Sequence, residues 1–300
     1  MPTRDLRLDE ANELLAAWVA ARAAALGIRA LLLKGRPLAD DGLREPRVSS
    51  DVDLLVEPAR FDEYCAALEA AGWHEFPSTF ASDRFTVHSR AFRREGWPNS
   101  LDVHRDYPGF LREPAVTFDA LWAQRRTARF AHQPVETPSR AANALVLALH
   151  SLRGTHLHPR HAHELARLRT VAFTPAERDE LAATAHATGA TLPLADVLAG
   201  WGVTPIADAS LAGSAREVEW RRKVAESRGV TASWLLLIRD APWREKPRIV
   251  RHAVWPTRAD YAVFYPEIPD RLGPQVWARV RRWGRGIRSL PGVLRALRRR

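Results

Sequence analysis

Cysteine and methionine each occur once in the 300 residues, and lysine only at Lys34, Lys223 and Lys246. A lone cysteine excludes an intrachain disulfide and a cysteine-built zinc site. Cys65 stands among Phe61, Tyr64 and Leu68 and reads as a buried structural thiol. Long apolar runs are also missing: no uncharged stretch approaches the roughly 20 residues needed to span a bilayer. The opening Met1-Pro-Thr-Arg-Asp-Leu-Arg reaches an acid early and has no apolar secretion core, so a cytoplasmic chain is expected. Acidic residues are absent from 277–300, which hold nine arginines. The remainder carries 36 basic and 35 acidic residues, so the net charge of +10 belongs to the tail and not to the fold. In a chain that almost always uses arginine, each retained lysine stands out, Lys34 most of all.

What is present is an ordinary globular composition, 46% hydrophobic and 27% charged, long enough for two domains. The first half alternates helix and strand signals. Residues 9–26 read as an amphipathic helix closed by Gly27, and 30–34 as a buried strand ending at Gly35. Residues 51–56 form a second strand, and 59–71 a helix opened by Pro58 and stopped by Gly72. Further strands are expected at 85–93 and 100–105, with a closing segment at 127–136. From about Pro138 the pattern turns helical: 141–152, 162–172, 175–188, 191–200, 214–227, 230–239, and a basic helix from about 274. The expectation is therefore an α+β domain over 1–137, a mixed sheet flanked by helices, followed by an all-helical domain over 138–300.

Three features carry chemistry. Lys34-Gly35 ends a strand, where a glycine allows backbone amides to approach a phosphate. Asp51-Val52-Asp53 opens the next strand, and alternation places both carboxylates on one face, where they repel each other unless a cation intervenes. Asp102 lies in Leu101-Asp102-Val103-His104, a strand with apolar residues on its opposite face. Three carboxylates beside a glycine turn can hold two Mg²⁺ ions and a nucleoside triphosphate; one ion activates a hydroxyl and the other clamps the leaving pyrophosphate.

The strings Leu33-Lys34-Gly35-x-x-Leu38, Arg47-x-Ser49-x-Asp51-Val52-Asp53-Leu54-Leu55-Val56 and Leu101-Asp102-Val103-His104 resemble the polymerase-β-type nucleotidyltransferase superfamily, and within it the bacterial uncharacterised nucleotidyltransferase family. That resemblance implies Mg²⁺, or Mn²⁺ in its place, and transfer of a nucleoside monophosphate from an NTP to an acceptor: a small molecule, a peptide or protein, or an RNA end. It assigns Asp51, Asp53 and Asp102 to metal binding and catalysis. Nucleotide contacts fall to Lys34, Gly35, Arg47, Ser49 and Ser50, and a supporting place beside Asp102 falls to His104. Arg47 also fits a loop ion pair. Arg36 departs from the pattern, since many superfamily members have a small residue after the glycine. Asn at Asp51 or Asp53 is expected to abolish turnover with the fold intact.

Other features are less specific. His156, His158, His161 and His163 surround Pro159 and are expected in a polar turn, without the pattern of a zinc finger. His150, on an apolar helix, reads as a core or interface residue. In the tail, Trp277, Trp283, Ile287, Leu290 and Leu294 alternate with arginines. Packing of that apolar face is expected, with RNA, an anionic membrane surface or an acidic protein as partners if it does not pack. Two other functions fit the Asp pair: a metal-dependent glycosyltransferase, disfavoured by the short stretch before it, and a silent nucleotide- or RNA-binding regulator.

Overall fold

Apolar alternation in two short strands builds the core of the sheet. Val52, Leu54 and Val56 of one and Leu101 and Val103 of the other face the same buried cluster, while the intervening Asp51, Asp53, Asp102 and His104 take the opposite face. In the computed structural model the described residues are 6–85, 88–154, 158–206, 208–226, 229–265, 267–269 and 271–298.

Strands β1 (Ala30–Leu33), β2 (Asp51–Val56), β3 (His74–Glu75), β4 (Ser89–Arg93) and β5 (Ser100–His104) form one mixed sheet in the order β1-β2-β5-β4-β3. Only β2 and β5 run parallel, with Asp53 opposite Asp102. Helices α1 (Leu8–Ala25) and α3 (Phe61–Ala70) cover the apolar face through Leu15, Val19, Phe61, Tyr64 and Leu68, all at most 4% exposed. The Tyr64 hydroxyl donates to the Val19 carbonyl at 2.9 Å, which satisfies its one polar atom and ties the two helices together. Cys65 is buried in this cluster, where burial pushes its thiol up to about 12.

A short helix α2 (Arg36–Asp40) follows β1, and α4 (Ser82–Phe85) and α5 (Pro114–Ala123) lie between later strands. A hairpin, β6 (Arg125–Phe130) and β7 (Gln133–Pro138), fills the segment expected at 127–136. The composition change at 137–139 marks the junction of β7 with α6 (Arg140–Gly154). Beyond it the described residues hold helices and no strand: α7 (Pro159–Arg169), α8 (Pro175–Thr188), α9 (Ala195–Gly200), α10 (Ala215–Glu226), α11 (Val230–Asp240), α12 (Lys246–Val254), α13 (Arg258–Phe264) and α14 (Leu272–Arg298). None of the described helices is long and apolar enough to cross a membrane. The chain divides into two compact units. The first takes Met1–Phe76, His88–Leu152 and Arg160–Trp220, and the second Pro77–Val87, Arg153–Pro159 and Arg221–Arg300.

Several local expectations are corrected. The strand expected at 85–93 begins only at Ser89, because Thr79 and Ser82 exchange hydrogen bonds (Ser82 N–H to Thr79 Oγ1, 3.0 Å; Thr79 N–H to Ser82 Oγ, 2.6 Å) and start α4 instead. The helix expected from 191 begins at Ala195, since Pro193 disfavours helical backbone at the residue before it. Pro159 opens α7, so His161 and His163 stand on a helix and not in a turn; His161 is buried, His158 and His163 are exposed, and His156 lies outside the described residues. The tail does form a helix, but its expected packing is half reversed. Trp283 and Leu290 line a hollow with α11 residues, while Leu272, Val276, Trp277, Val280 and Ile287 are exposed. Arg299 and Arg300 lie outside the described residues.

Gly109 tests the packing of the first unit. Its φ is +104°, and a Cβ there would stand 2.5 Å from Leu149 Cδ2 and 2.9 Å from the Trp220 ring. Gly109→Ala is expected to cost about 2–4 kcal/mol, from left-handed strain plus overpacking. Gly213→Ala, with φ +74° and open space, should cost about 1 kcal/mol. Urea midpoints of the two variants check the difference.

Candidate functional site

The end of β1 turns sharply. Lys34 and Gly35 both have positive φ, 59° and 64°. Leu33 is paired with Asp53, so an extended Lys34 would project to the opposite face of the sheet. The left-handed backbone, uncommon for lysine, sends its side chain toward Asp53 instead, and Nζ rests 2.8 Å from Oδ2. Gly35, with ψ −151°, occupies a conformation that suits glycine alone and leads into α2. Arg44, which is buried, donates to the Gly35 carbonyl at 2.8 Å and so fixes the turn. Burial, with Arg47 nearby, brings the Arg44 guanidinium down to about 10, so it stays charged near neutrality.

The β2–β5 register brings His104 between two carboxylates. Its Nε2 is 3.0 Å from Asp53 Oδ1 and 3.3 Å from Asp102 Oδ2. Both oxygens of Asp53 are therefore held, one by Lys34 and one by His104. Burial alone would raise the Asp53 carboxyl, but Lys34 and His104 outweigh it and hold it well below the usual carboxylate range. Burial likewise works against charge on Lys34 and His104. Asp53 keeps Lys34 above its ordinary value, and Asp102 with Asp53 brings His104 up to about 9. For Asp102 burial is again the largest influence and is overcome by His104, leaving its carboxyl lowered. One oxygen of Asp102, Oδ1, is buried and accepts no hydrogen bond.

Asp51 is held differently. Ser49 Oγ donates to its Oδ1 at 2.7 Å, Asn12 Nδ2 donates to the Ser49 carbonyl at 2.7 Å, and Asn99 Nδ2 donates to Asn12 Oδ1 at 2.8 Å. This neutral relay from α1 and the residue before β5 orients Asp51 and leaves it half-buried. Asp51, Asp53, Gly35, Ser49 and Arg47 line one cavity of about 500 Å³, within the range of small-ligand sites. Ser50 is exposed and outside that lining; its carbonyl accepts from Ser100 N–H at 3.1 Å. Arg47 reaches Glu164 at 3.1 Å, the ion pair that was one of its two readings. Arg36 turns away from the Lys34-Gly35 turn: it pairs with Glu13 and Asp40 and lies over the Phe130 ring, on the cavity's edge.

Asn12, Arg44, Asn99 and Glu164 escaped the sequence reading. Arg44 acts on Gly35 nine residues away and the others through atoms far along the chain, and no local spacing signals these contacts. His161 and Glu164 stand one helical turn apart on α7, with His150 of α6 against His161; the three could approach a common cation, although Arg47 already occupies Glu164.

The model of the family described as uncharacterised nucleotidyltransferase matches residues 9–199. Three solved structures are similar at low identity. An antigenic nucleotidyltransferase-like protein from Paracoccidioides brasiliensis is 16% identical, with 69% of this chain and 98% of that chain covered and a TM-score of 0.40. The lincosamide antibiotic adenylyltransferase LnuA, lincomycin-bound, is 14% identical over 53% and 96% of the two chains, TM-score 0.35. The antibiotic-resistance factor ANT(2'')-Ia is 15% identical over 63% and 96%, TM-score 0.41. No curated protein matches the sequence.

The two aspartates of β2 are not equivalent in the fold, which corrects the expectation that Asn at either would leave it intact. Asp53→Asn strands Lys34 and His104 as buried cations and is expected to cost about 3–5 kcal/mol. Asp51→Asn loses at most one charged hydrogen bond and should cost under about 2 kcal/mol; denaturant titration of the pair separates the cases. The charges also set a pH window for the metal-free protein. His104, raised to about 9, adds stability that is complete below its unfolded value of 6.5 and vanishes as pH rises through 9. Asp53 and Asp102, held low, add stability present above about pH 4 and lost in acid. Thermal melts in EDTA should therefore peak between pH 4 and 6.5, and His104→Gln should flatten the alkaline limb.

Proposed function

The chain belongs to the uncharacterised nucleotidyltransferase family, and from that membership we propose that it transfers a nucleoside monophosphate from an NTP to an acceptor hydroxyl, at the cavity bounded by Asp51, Asp53 and the Lys34-Gly35 turn. The observation that carries this reading is the parallel register of β2 and β5, which sets Asp53 opposite Asp102 on one face, with Asp51 two residues before Asp53. Asp51, Asp53 and Asp102 are the candidate catalytic carboxylates.

The charge of the cavity indicates what must enter with the nucleotide. Asp9, Glu13, Asp40, Asp51 and Asp53 line it, against Arg36 and Arg47. A triphosphate entering so many carboxylates is repelled unless cations accompany it. Ligand atoms of Asp53, Asp102 and His104 lie within 4.8 Å of one another, and with Asp51 the two aspartates offer hard carboxylate oxygens that suit a divalent ion, one of them the buried and unbonded Asp102 Oδ1. Asp51, Asp53 and Asp102 would hold Mg²⁺, with Mn²⁺ as a substitute, and the two-ion arrangement belongs to the same proposal. When bound, the metal supplies charge neutralisation for the triphosphate and the departing pyrophosphate.

The chain's own residues do the rest. Gly35 leaves the backbone bare where the phosphates approach, Ser49 adds a hydroxyl, and Arg47 a guanidinium held in place by Glu164. Lys34, with its ammonium on Asp53, keeps that carboxylate ionised and in register and makes no phosphate contact in this arrangement. His104 steadies Asp53 and Asp102 together. Asp102, the more exposed of that pair at 30% of its side chain though outside the cavity lining, is the candidate to accept the acceptor's hydroxyl proton.

Asp51→Asn, which should fold, is expected to lower NTP-dependent pyrophosphate release at least about 100-fold and to abolish the Mn²⁺ binding that calorimetry is expected to detect in the unaltered protein. EDTA should abolish release in the unaltered protein. Turnover and metal binding that survive in Asp51→Asn would overturn the assignment.

A further inference from the structure

Helix α14 is built inside out. Arg279 points inward and is only 4% exposed; its guanidinium lies 4.6 Å from the Tyr261 ring and 5.1 Å from the Trp255 ring and donates to the Pro256 carbonyl. Arg282 also turns inward and donates to the Ala253 carbonyl. The arginines on this side are thus consumed by aromatic faces and by carbonyls at the end of α12. The aliphatic side chains go outward instead: Leu272 is 83% exposed, Ile287 66% and Trp277 61%, with Val276 and Val280 also exposed.

These outward residues are ordered around the helix. At about 100° per residue, Val276, Val280 and Ile287 fall within an arc of about 40°, next to the side on which Trp283 and Leu290 pack. Trp277 lies about 60° beyond Val280, and Arg288, Arg281 and Arg285 follow over the next 80° or so. No acid follows Asp270 in the sequence, so nothing in this segment offsets those charges. The basic excess extends through the second unit: residues 221–300 hold 20 basic and 6 acidic residues, against 25 and 29 in residues 1–220.

An aliphatic strip, a tryptophan beside it and a flanking row of arginines match one surface in particular. Hydrocarbon accepts the aliphatic strip, the indole prefers the boundary, and lipid phosphates meet the guanidinium groups. Single-stranded RNA would engage arginines and aromatic planes but gains nothing from exposed valine, leucine and isoleucine. We propose that the outer face of α14 attaches the protein to anionic lipid bilayers, with the helix lying in the interface plane and not spanning it. This attachment is independent of the nucleotide site.

The full chain is tested by flotation with vesicles of phosphatidylcholine alone and of phosphatidylcholine with phosphatidylglycerol. Binding is expected only to the phosphatidylglycerol vesicles, weakening as salt rises toward about 0.5 M. Val276→Asp with Val280→Asp, both at exposed positions, should weaken it at least about 10-fold with unchanged circular dichroism. Arg281→Gln, Arg285→Gln and Arg288→Gln together should also weaken it. If the valine pair lowers helix content, Trp277→Ser serves in its place. Absence of vesicle binding, or binding indifferent to the aliphatic variants, would overturn the proposal. So would arginine-dependent capture of an RNA oligonucleotide or of polyglutamate without vesicle binding.

Discussion

One buried ionic cluster organises the candidate site: Lys34 and His104 on either oxygen of Asp53, with Asp102 on the far side of the imidazole. A lone carboxylate at the Asp53 depth would be costly, and so would either cation. Together they offset one another, but only with every partner in place. That condition fixes much else. Lys34 must adopt a left-handed backbone to reach Asp53, Gly35 must continue the turn, and β5 must lie parallel to β2 in one register.

Around this cluster the supports are of a different kind. Asp51 is aimed by neutral groups, a serine hydroxyl and two asparagine amides, which orient without neutralising. Asp53 is thus already satisfied within the protein, while Asp51 keeps much of its charge available to the cavity. The two carboxylates, alike in sequence and two residues apart, are thus held in different ways, one by buried cations and the other by neutral donors.

The Asp-x-Asp spacing, the acid on a second strand and their shared face were legible because strand alternation is local and strict. Helices α1, α6 and α8 were legible for the same reason, their signals being repeated over many residues. What stayed hidden depends on distant partners. Lys34 stood out as a retained lysine, yet only the left-handed turn reveals that its ammonium reaches Asp53. Arg36, conspicuous in the sequence, is drawn aside by Glu13 and Asp40. The tail misled because helical amphipathicity assumes arginine outside, whereas Arg279 finds two aromatic rings and a carbonyl within.

The way the two units share the chain bears on how the protein can be made. The polypeptide passes between them five times, and each draws on three separate stretches. A ribosome would release the last residues of the first unit, up to Trp220, only after two short pieces of the second had emerged without their partners. Those pieces, Pro77–Val87 and Arg153–Pro159, wait for Arg221–Arg300. Neither unit is a contiguous gene fragment, so the candidate site cannot be cleanly excised by a single cut. Its inheritance is bound to that of the basic region that follows.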